Sequence, residues 1–328
     1  MITVFTPTYN RAHLLPRLYE SLCRQTFTDF EWVIVDDGST DGTKDLFHPN
    51  GNGKCFLAEI AEKTTDYTGL TDNKSLAGNT EIAENQIPIF PIRYFYQENG
   101  GKHRAINRGV KEAKGELFLI LDSDDSLPPE ALERINLYYQ QIREDNSFGG
   151  VCGYMAHHDG TVIGHGNDAT ILDTNSIALR HKYHVQGDMC EVFRTSVLRE
   201  IPFPEIHGEK FVPEALVWNR IAKKYRLRVF HEVVYYRDYL DGGLTDKIVK
   251  IRMNSPVASM MTYAEMTQYD IPFIQKVKAA INYYRFKFCL SLKDKKPSDV
   301  SIHWIWAWTI PLGWLMHFKD KQNFQFLI

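Results

Sequence analysis

The chain has 328 residues, 44% of them hydrophobic, and a formal net charge of -3, enough apolar material for one large or two modest domains with a real core. So slight a negative charge excludes a general attraction to nucleic acid or acidic lipid. Cys23, Cys55, Cys152, Cys190 and Cys289 form an odd set with no CxxC pair, which argues against a disulfide framework or a zinc knuckle and suits a reducing cytoplasm.

Met1 runs directly into a strand-like Ile2-Thr-Val-Phe-Thr-Pro7, leaving no room for an export signal. From there to about residue 128, short apolar runs alternate with amphipathic stretches, predicting βαβ units and a mainly parallel sheet. A polar loop, Thr8-Tyr9-Asn10-Arg11, is followed by a helix with Leu15, Leu18 and Leu22 on one face. Phe30 to Val35 is the second strand and ends in Asp36-Asp37-Gly38-Ser39-Thr40-Asp41. Residues 48 to 86, rich in Gly, Asn, Thr, Asp and Lys, predict a surface insertion with one short helical stretch, Phe56 to Ala61. Ile92 to Tyr96 resumes the sheet, and a helix runs to about Ala113. Between them the Asn99-Gly100-Gly101-Lys102 turn combines pliable backbone, the free amides of a helix start and the cations Lys102 and Arg104, chemistry that suits a diphosphate. Its spacing is not that of a P-loop, and no GxGxxG opens the first helix, which argues against an ATPase or a Rossmann dehydrogenase.

The next strand, Phe118-Leu-Ile-Leu121, stops at Asp122-Ser123-Asp124-Asp125. Ligands of open α/β sheets collect outside the carboxyl ends of such strands, and right-handed crossovers bring the Asp37 and Asp124 loops to one crevice. Alternation along an extended chain puts Asp122 and Asp124 on one side. Two hard oxygen donors there suit Mg²⁺ or Mn²⁺ shared with substrate phosphates. Asp125-Ser126-Leu-Pro-Pro-Glu130 also resembles a helix start, so Asp125 or Ser126 is expected to cap while Asp122 and Asp124 bind.

Beyond Glu130 the pattern becomes an α+β mixture: a helix over 129 to 144, hairpin strands over 149 to 154 and 160 to 164, and a strand over 188 to 193. A loop from 203 to 213 leads into a helix opened by Glu214, whose place in the first turn suits the helix dipole without any chemistry. Strands over 226 to 230 and 232 to 236 precede a turn containing Asp241. The tail from about 247 reads as helical. Its segment 300 to 318 holds four of the six tryptophans, but Pro311, Gly313, His303 and His317 make it a poor bilayer span. With lysines between Lys293 and Lys296 and at Lys319 and Lys321, it fits either an in-plane membrane helix or packing against the rest of the protein.

Four motifs in order at strand ends, Pro7-Thr-Tyr-Asn-Arg11, Val35-Asp-Asp-Gly-Ser-Thr-Asp41, Asn99-Gly-Gly-Lys102 and Asp122-Ser-Asp-Asp125, resemble the family 2 glycosyltransferases of GT-A fold. The likeness is close over the first 130 residues and looser to about 245. It implies an α/β, GT-A type Rossmann-like sheet flanked by helices. Residues 1 to 128 would be the nucleotide-sugar half, 129 to 246 the acceptor half and 247 to 328 a helical extension. It implies inverting transfer of a sugar from a nucleotide diphosphate, UDP by preference, to a carbohydrate or lipid-linked acceptor hydroxyl at a cytoplasmic membrane face. Pro7, Tyr9 and Arg11 would line the base pocket, with Asp37 on the pyrimidine or ribose and Asp36 beside it. Lys102 would lie near the nucleotide, Asp122 and Ser123 near the ribose, and Asp124 would coordinate Mn²⁺ or Mg²⁺ with Asp122 reaching it through water. The general base would be Glu214; because Ala215 replaces the second acid of the usual Glu-Asp pair, Glu209 is a rival. Asp241 would belong to a closing loop. A receiver domain would leave Tyr9 to Arg11 and Gly100 to Lys102 without a purpose, a nucleotidyltransferase would need a Gly-rich loop where Thr8-Tyr-Asn-Arg-Ala12 stands, and a binding module would need no base.

Overall fold

The first two strands, β1 (Ile2–Thr8) and β2 (Phe30–Asp36), are buried at every position, as expected of strands covered on both faces. The computed structural model describes residues 1–47, 90–166, 169–237, 247–290 and 300–325. Within them, β3 (Ile92–Tyr96), β4 (Leu117–Ile120), β5 (Phe148–Ala156), β6 (Ile171–Thr174), β7 (Met189–Arg194) and β8 (Arg226–Tyr236) complete a sheet in the order β3-β2-β1-β4-β7-β5-β8-β6. The first four strands are mutually parallel, in a register that sets Thr8 beside Asp36 and Asp36 beside Tyr96. Their carboxyl ends therefore share one edge.

Side chains alternate between two cores. Val4, Trp32, Ile34 and Leu119 meet Leu15, Leu18 and Leu22 of α1 (Leu15–Cys23) and Leu132 and Ile135 of α3 (Ala131–Gln140). Phe5, Val33, Val35 and Phe118 meet Ala105, Ile106 and Val110 of α2 (Lys102–Glu112) and Leu216, Val217 and Ile221 of α6 (Glu214–Ala222). Two short helices, α4 (Ser176–His181) and α5 (Thr195–Glu200), flank β7 in sequence.

The half of the sheet built from the first 128 residues is parallel as expected, and the sheet becomes mixed beyond it, where β7 enters antiparallel between β4 and β5 and β6 pairs antiparallel with β8. The expected hairpin over 149 to 164 is a single bridge, Ala156 to Val162, since β5 pairs with β7 and β8 instead. The two strands read over 226 to 236 are one. At the acidic segment the strand stops at Ile120, and Asp122 to Asp125 form a turn closed by the Asp125 N–H on the Asp122 carbonyl at 3.0 Å. Strand alternation therefore does not reach Asp122 and Asp124. Nor do Asp125 or Ser126 cap a helix: α3 begins five residues past Ser126 with Glu130 at its N-cap position and no side-chain cap.

After β8 come α7 (Ile248–Met253), α8 (Pro256–Met266), α9 (Phe273–Lys287), a 3-10 turn (Trp304–Thr309) and α10 (Ile310–Gln325). Contacts run from α6 to α8, α8 to α9 and α9 to α10. The aromatic tail thus rests on α9. The predicted insertion with Phe56 to Ala61, the turn with Asp241 and the lysines at 293 to 296 lie outside the described residues.

Candidate active site

At the shared edge, the loop after β1 is tied to the loop after β2. The Asp37 N–H donates to the Thr8 carbonyl at 2.9 Å. Asn10, in the left-handed conformation (φ 53°) that Asn tolerates, donates its N–H to Ser39 Oγ and accepts from the Thr40 N–H, both at 2.8 Å, while the Ala12 N–H reaches Asp41 at 2.9 Å. This leaves the ring of Tyr9 half exposed and Arg11 half-buried beside the crevice, with Pro7 buried inside β1.

The two acids of this loop do structural work. Asp36 is fully buried and accepts from the Ser39 N–H at 2.8 Å and the Tyr94 hydroxyl at 2.6 Å. Asp37 accepts from Gln97 Nε2 at 2.7 Å, the Gly100 N–H at 2.9 Å and the Gly101 N–H at 2.7 Å. The anion that the glycine turn binds is thus the protein's own carboxylate, which corrects the expectation that those amides are free for a diphosphate. Gly101 is required there: at φ 97°, a Cβ would lie 1.9 Å from the Lys210 carbonyl oxygen. Arg104, expected to add charge for an anion, instead donates to the carbonyls of Gly100 (2.5 Å), Ile206 (2.7 Å) and Glu209 (2.8 Å), stapling the turn to the loop before α6.

Lys102, opening α2, is thereby aimed at two carboxylates from distant elements. Its Nζ lies 2.7 Å from Asp122 Oδ1 and 2.8 Å from Glu214 Oε1. Burial works against its charge, but Asp122 and Glu214 together overcome that and hold its pKa well above the ordinary lysine value. Burial likewise pushes the Asp122 carboxyl up; the Lys102 charge and hydrogen bond more than offset it, and the net shift is downward. The Asp122 backbone is held from β8, where the buried Tyr235 hydroxyl accepts its N–H at 3.0 Å and donates to Asp125 at 2.7 Å. Burial, then the Asp122 charge, push the Asp125 carboxyl up to about 7. Ser123 is buried in the turn, and Asp124 is half-exposed with no hydrogen-bond partner among the described residues.

Lys102, Asp122 and Glu214 line a cavity of about 250 Å³ together with Arg180, Asp188, Glu191, Trp218, Tyr235 and Arg237. Arg237 pairs with Asp188 at 2.9 Å, and Arg180 is pinned to the carbonyls of Val185 and Gly187. Burial, helped by the charges of Glu214 and Asp188, pushes the Glu191 carboxyl up to about 7 against the pull of Arg180. Glu209 does not line this cavity. It is buried, and its carboxylate accepts the N–H groups of Val257 and Ala258 at 2.6 and 2.9 Å, capping α8. Of the expected residues, Lys102, Asp122 and Glu214 converge, while Glu209 and Asp36 are structural. Glu191, Tyr235, Arg180 and Arg237 were not expected; Glu191, a carboxylate in an apolar strand pattern, was the visible signal.

For a divalent cation the donor chemistry is suitable but incomplete. Asp124 offers a hard oxygen donor beside Asp122, and no group of three or more metal-binding side chains occurs among the described residues. Mg²⁺ sites built on one or two carboxylates are completed by phosphate and water.

A sequence profile of glycosyl transferase family 2 matches residues 3–50 and 69–201, more than half of the chain. The chain belongs to this family. A glycosyltransferase of Nostoc sp., itself uncharacterized, is 32% identical over 170 residues, 52% of this chain and 39% of that protein. The chain spans less than half the length of the curated relatives it matches. Among solved structures, S. aureus TarS 1–349 in complex with UDP-GlcNAc superposes with a TM-score of 0.55 at 18% identity, over 98% of this chain and 92% of that one. The mannosyltransferase PcManGT of Pyrobaculum calidifontis, in complex with GDP-Man and Mn²⁺, gives 0.50 at 17% identity over 96% and 73%. These likenesses establish the GT-A fold for this family 2 glycosyltransferase.

Proposed function

We propose that this glycosyltransferase moves a sugar, with inversion, from a UDP-linked donor to a hydroxyl of a carbohydrate or lipid-linked acceptor, in polysaccharide or glycolipid synthesis at the cytoplasmic face of a membrane. The observation that carries the reading is the convergence of Lys102, Asp122 and Glu214 in one cavity at the sheet's carboxyl edge. Two solved structures of like fold hold nucleotide sugars, one of them with Mn²⁺.

In this reading Pro7, Tyr9 and Arg11 flank the base, and Asp37 acts by holding the turn that presents Lys102. Asp122 and Ser123 approach the ribose, and Asp124 would hold Mn²⁺ or Mg²⁺ beside the diphosphate. The ion supplies neutralisation of the negative charge that develops on the leaving group. Glu214 takes the proton of the acceptor hydroxyl. The diphosphate competes with Glu214 for the Lys102 ammonium, so Lys102 turns from Glu214 to the diphosphate as the donor binds, freeing the carboxylate for the acceptor and adding a donor to the leaving group.

The test is calorimetric titration of UDP, GDP and dTDP into the wild type and Asp124→Asn, each with Mn²⁺ and with EDTA. Binding of UDP that needs both the ion and Asp124 is expected; binding indifferent to both removes the metal site. Glu214→Gln is expected to keep nucleotide binding and lose turnover by about 10²–10⁴-fold. Unchanged turnover would remove Glu214 from the mechanism.

A further inference from the structure

The C-terminal helix α10 and the 3-10 turn before it are built inside out. Positions 306, 309, 313, 317 and 320, spaced three or four apart, face the protein. Trp306 packs with Val277 and Ala280, and Gly313 lets the helix approach so closely that a Cβ would lie 2.6 Å from the Tyr284 Cβ. The rest of the inward stripe is polar. Thr309 is buried, His317 is buried against Cys289, and Asp320 is buried in a two-pronged pair with Arg285 at 2.5 and 2.8 Å. The large apolar side chains point outward instead: Trp304 is 78% exposed, Trp308 55%, Trp314 52% and Leu315 58%.

The start of α9 adds a further exposed ring beside the 3-10 turn. Phe273, 69% exposed, stacks on Trp306 with ring centroids 5.8 Å apart, and Trp314 stacks on Phe318 at 5.6 Å. Soluble monomers rarely leave a patch of this kind bare. Its charge says what covers it. Residues 273–290 and 300–325 carry six Lys and Arg against one acid, Asp320, and that acid is buried in its pair with Arg285. Lys278, Lys287, Lys319 and Lys321 are exposed. A locally cationic, tryptophan-rich module on a chain of net charge -3 matches an interface that is apolar beneath and anionic at its rim. No helix among the described residues is long and apolar enough to cross a membrane, so the module can lie on a bilayer but not span it.

We propose that the outward face of α10, with the 3-10 turn and Phe273, docks in plane on an anionic lipid surface. This goes beyond the transferase reading and does not depend on it. It also resolves the sequence's two options for the tail: the polar stripe packs on α9, and the aromatic side is left for lipid.

The full chain is mixed with vesicles of phosphatidylcholine alone and of phosphatidylcholine with phosphatidylglycerol, then read by co-sedimentation and tryptophan emission. Three exposed tryptophans of the six in the chain make emission sensitive to the contact. The expected result is sedimentation with the anionic vesicles, a blue shift, and release as salt rises. Lys319→Glu with Lys321→Glu is expected to weaken partitioning about tenfold or more. Trp308→Ser with Trp314→Ser, both exposed positions, is expected to abolish it while circular dichroism and nucleotide titration stay as in the wild type. A wild type that ignores both vesicle types overturns the proposal. So does wild-type binding in both variants. Failure to bind vesicles by a chain that sedimentation equilibrium shows to be a dimer, split by the tryptophan variant, overturns it in favour of a second copy of the chain as the occupant. Nucleotide titration on the same samples reports separately on the transferase reading.

Discussion

Lys102 stands between Asp122, near which the donor is proposed to bind, and Glu214, the proposed base, and its single charge stabilises both. Its effect on stability has a definite sign. Asp122 is held below its ordinary value by Lys102, so its ionisation stabilises the fold above pH 3.8, and that contribution disappears as pH falls through the lowered value. With Lys102→Met, burial is no longer offset and the carboxyl is pushed up, so ionising Asp122 then opposes folding. The stability difference between wild type and variant should therefore be small near pH 3 and grow toward pH 7. Breaking a buried pair costs about 3–5 kcal/mol, and the partial exposure of Lys102 and Asp122 lowers the expectation to about 1–3 kcal/mol. Urea titrations at the two pH values decide it. A difference independent of pH would mean that Lys102 acts through packing alone. None of this triangle was legible from spacing, because its members come from three elements joined by the Asp37 turn and the Arg104 staple. Each residue was legible singly, by its place at a strand end or a helix start.

At the scale of elements, local signals carried β1, β2, α1, α2 and α6, whose periodicity and flanking turns agree with their surroundings. They failed where a tertiary partner decides. Phe118-Leu-Ile-Leu121 reads as one strand, yet β7 pairs only Leu117 to Leu119 and the Tyr235 hydroxyl takes the Asp122 N–H, so the chain turns early. Glu209 misled in the same way. A carboxylate five residues before a helix reads as a spare base, but its partners lie nearly fifty residues later at the start of α8. The cap has a measurable consequence. Glu209→Ala leaves the buried Ala258 N–H and the part-buried Val257 N–H without an acceptor and should lower stability by about 1–3 kcal/mol in chemical denaturation, whereas Glu209→Gln, which keeps one acceptor oxygen, should retain most of the turnover. A loss of turnover in Glu209→Gln as large as in Glu214→Gln would return Glu209 to the chemistry.

Across the whole molecule, the parallel half of the sheet followed from alternating strands and helices with right-handed connections. The order β7-β5-β8-β6 did not, because those pairings join segments tens of residues apart and no local pattern selects among them. The same long reach makes the C-terminal helices two different kinds of appendage. Helix α8 is tied to the sheet domain: it is capped by Glu209, and its Glu265 pairs with Arg220 of α6, the helix that carries Glu214. Helix α10 rests on α9 and the 3-10 turn. Ending the chain at residue 299 should therefore keep cooperative unfolding and nucleotide affinity while removing vesicle binding. Ending it at residue 246 strips the partners from Glu209 and Arg220 together, a loss of about 3 kcal/mol or more that should abolish the cooperative transition or the nucleotide site. Thermal unfolding with and without UDP and Mn²⁺ separates the two truncations. If the shorter chain unfolds cooperatively and binds nucleotide as the full chain does, α8 does not support the site and the pairing of Arg220 with Glu265 is a surface contact of little energy.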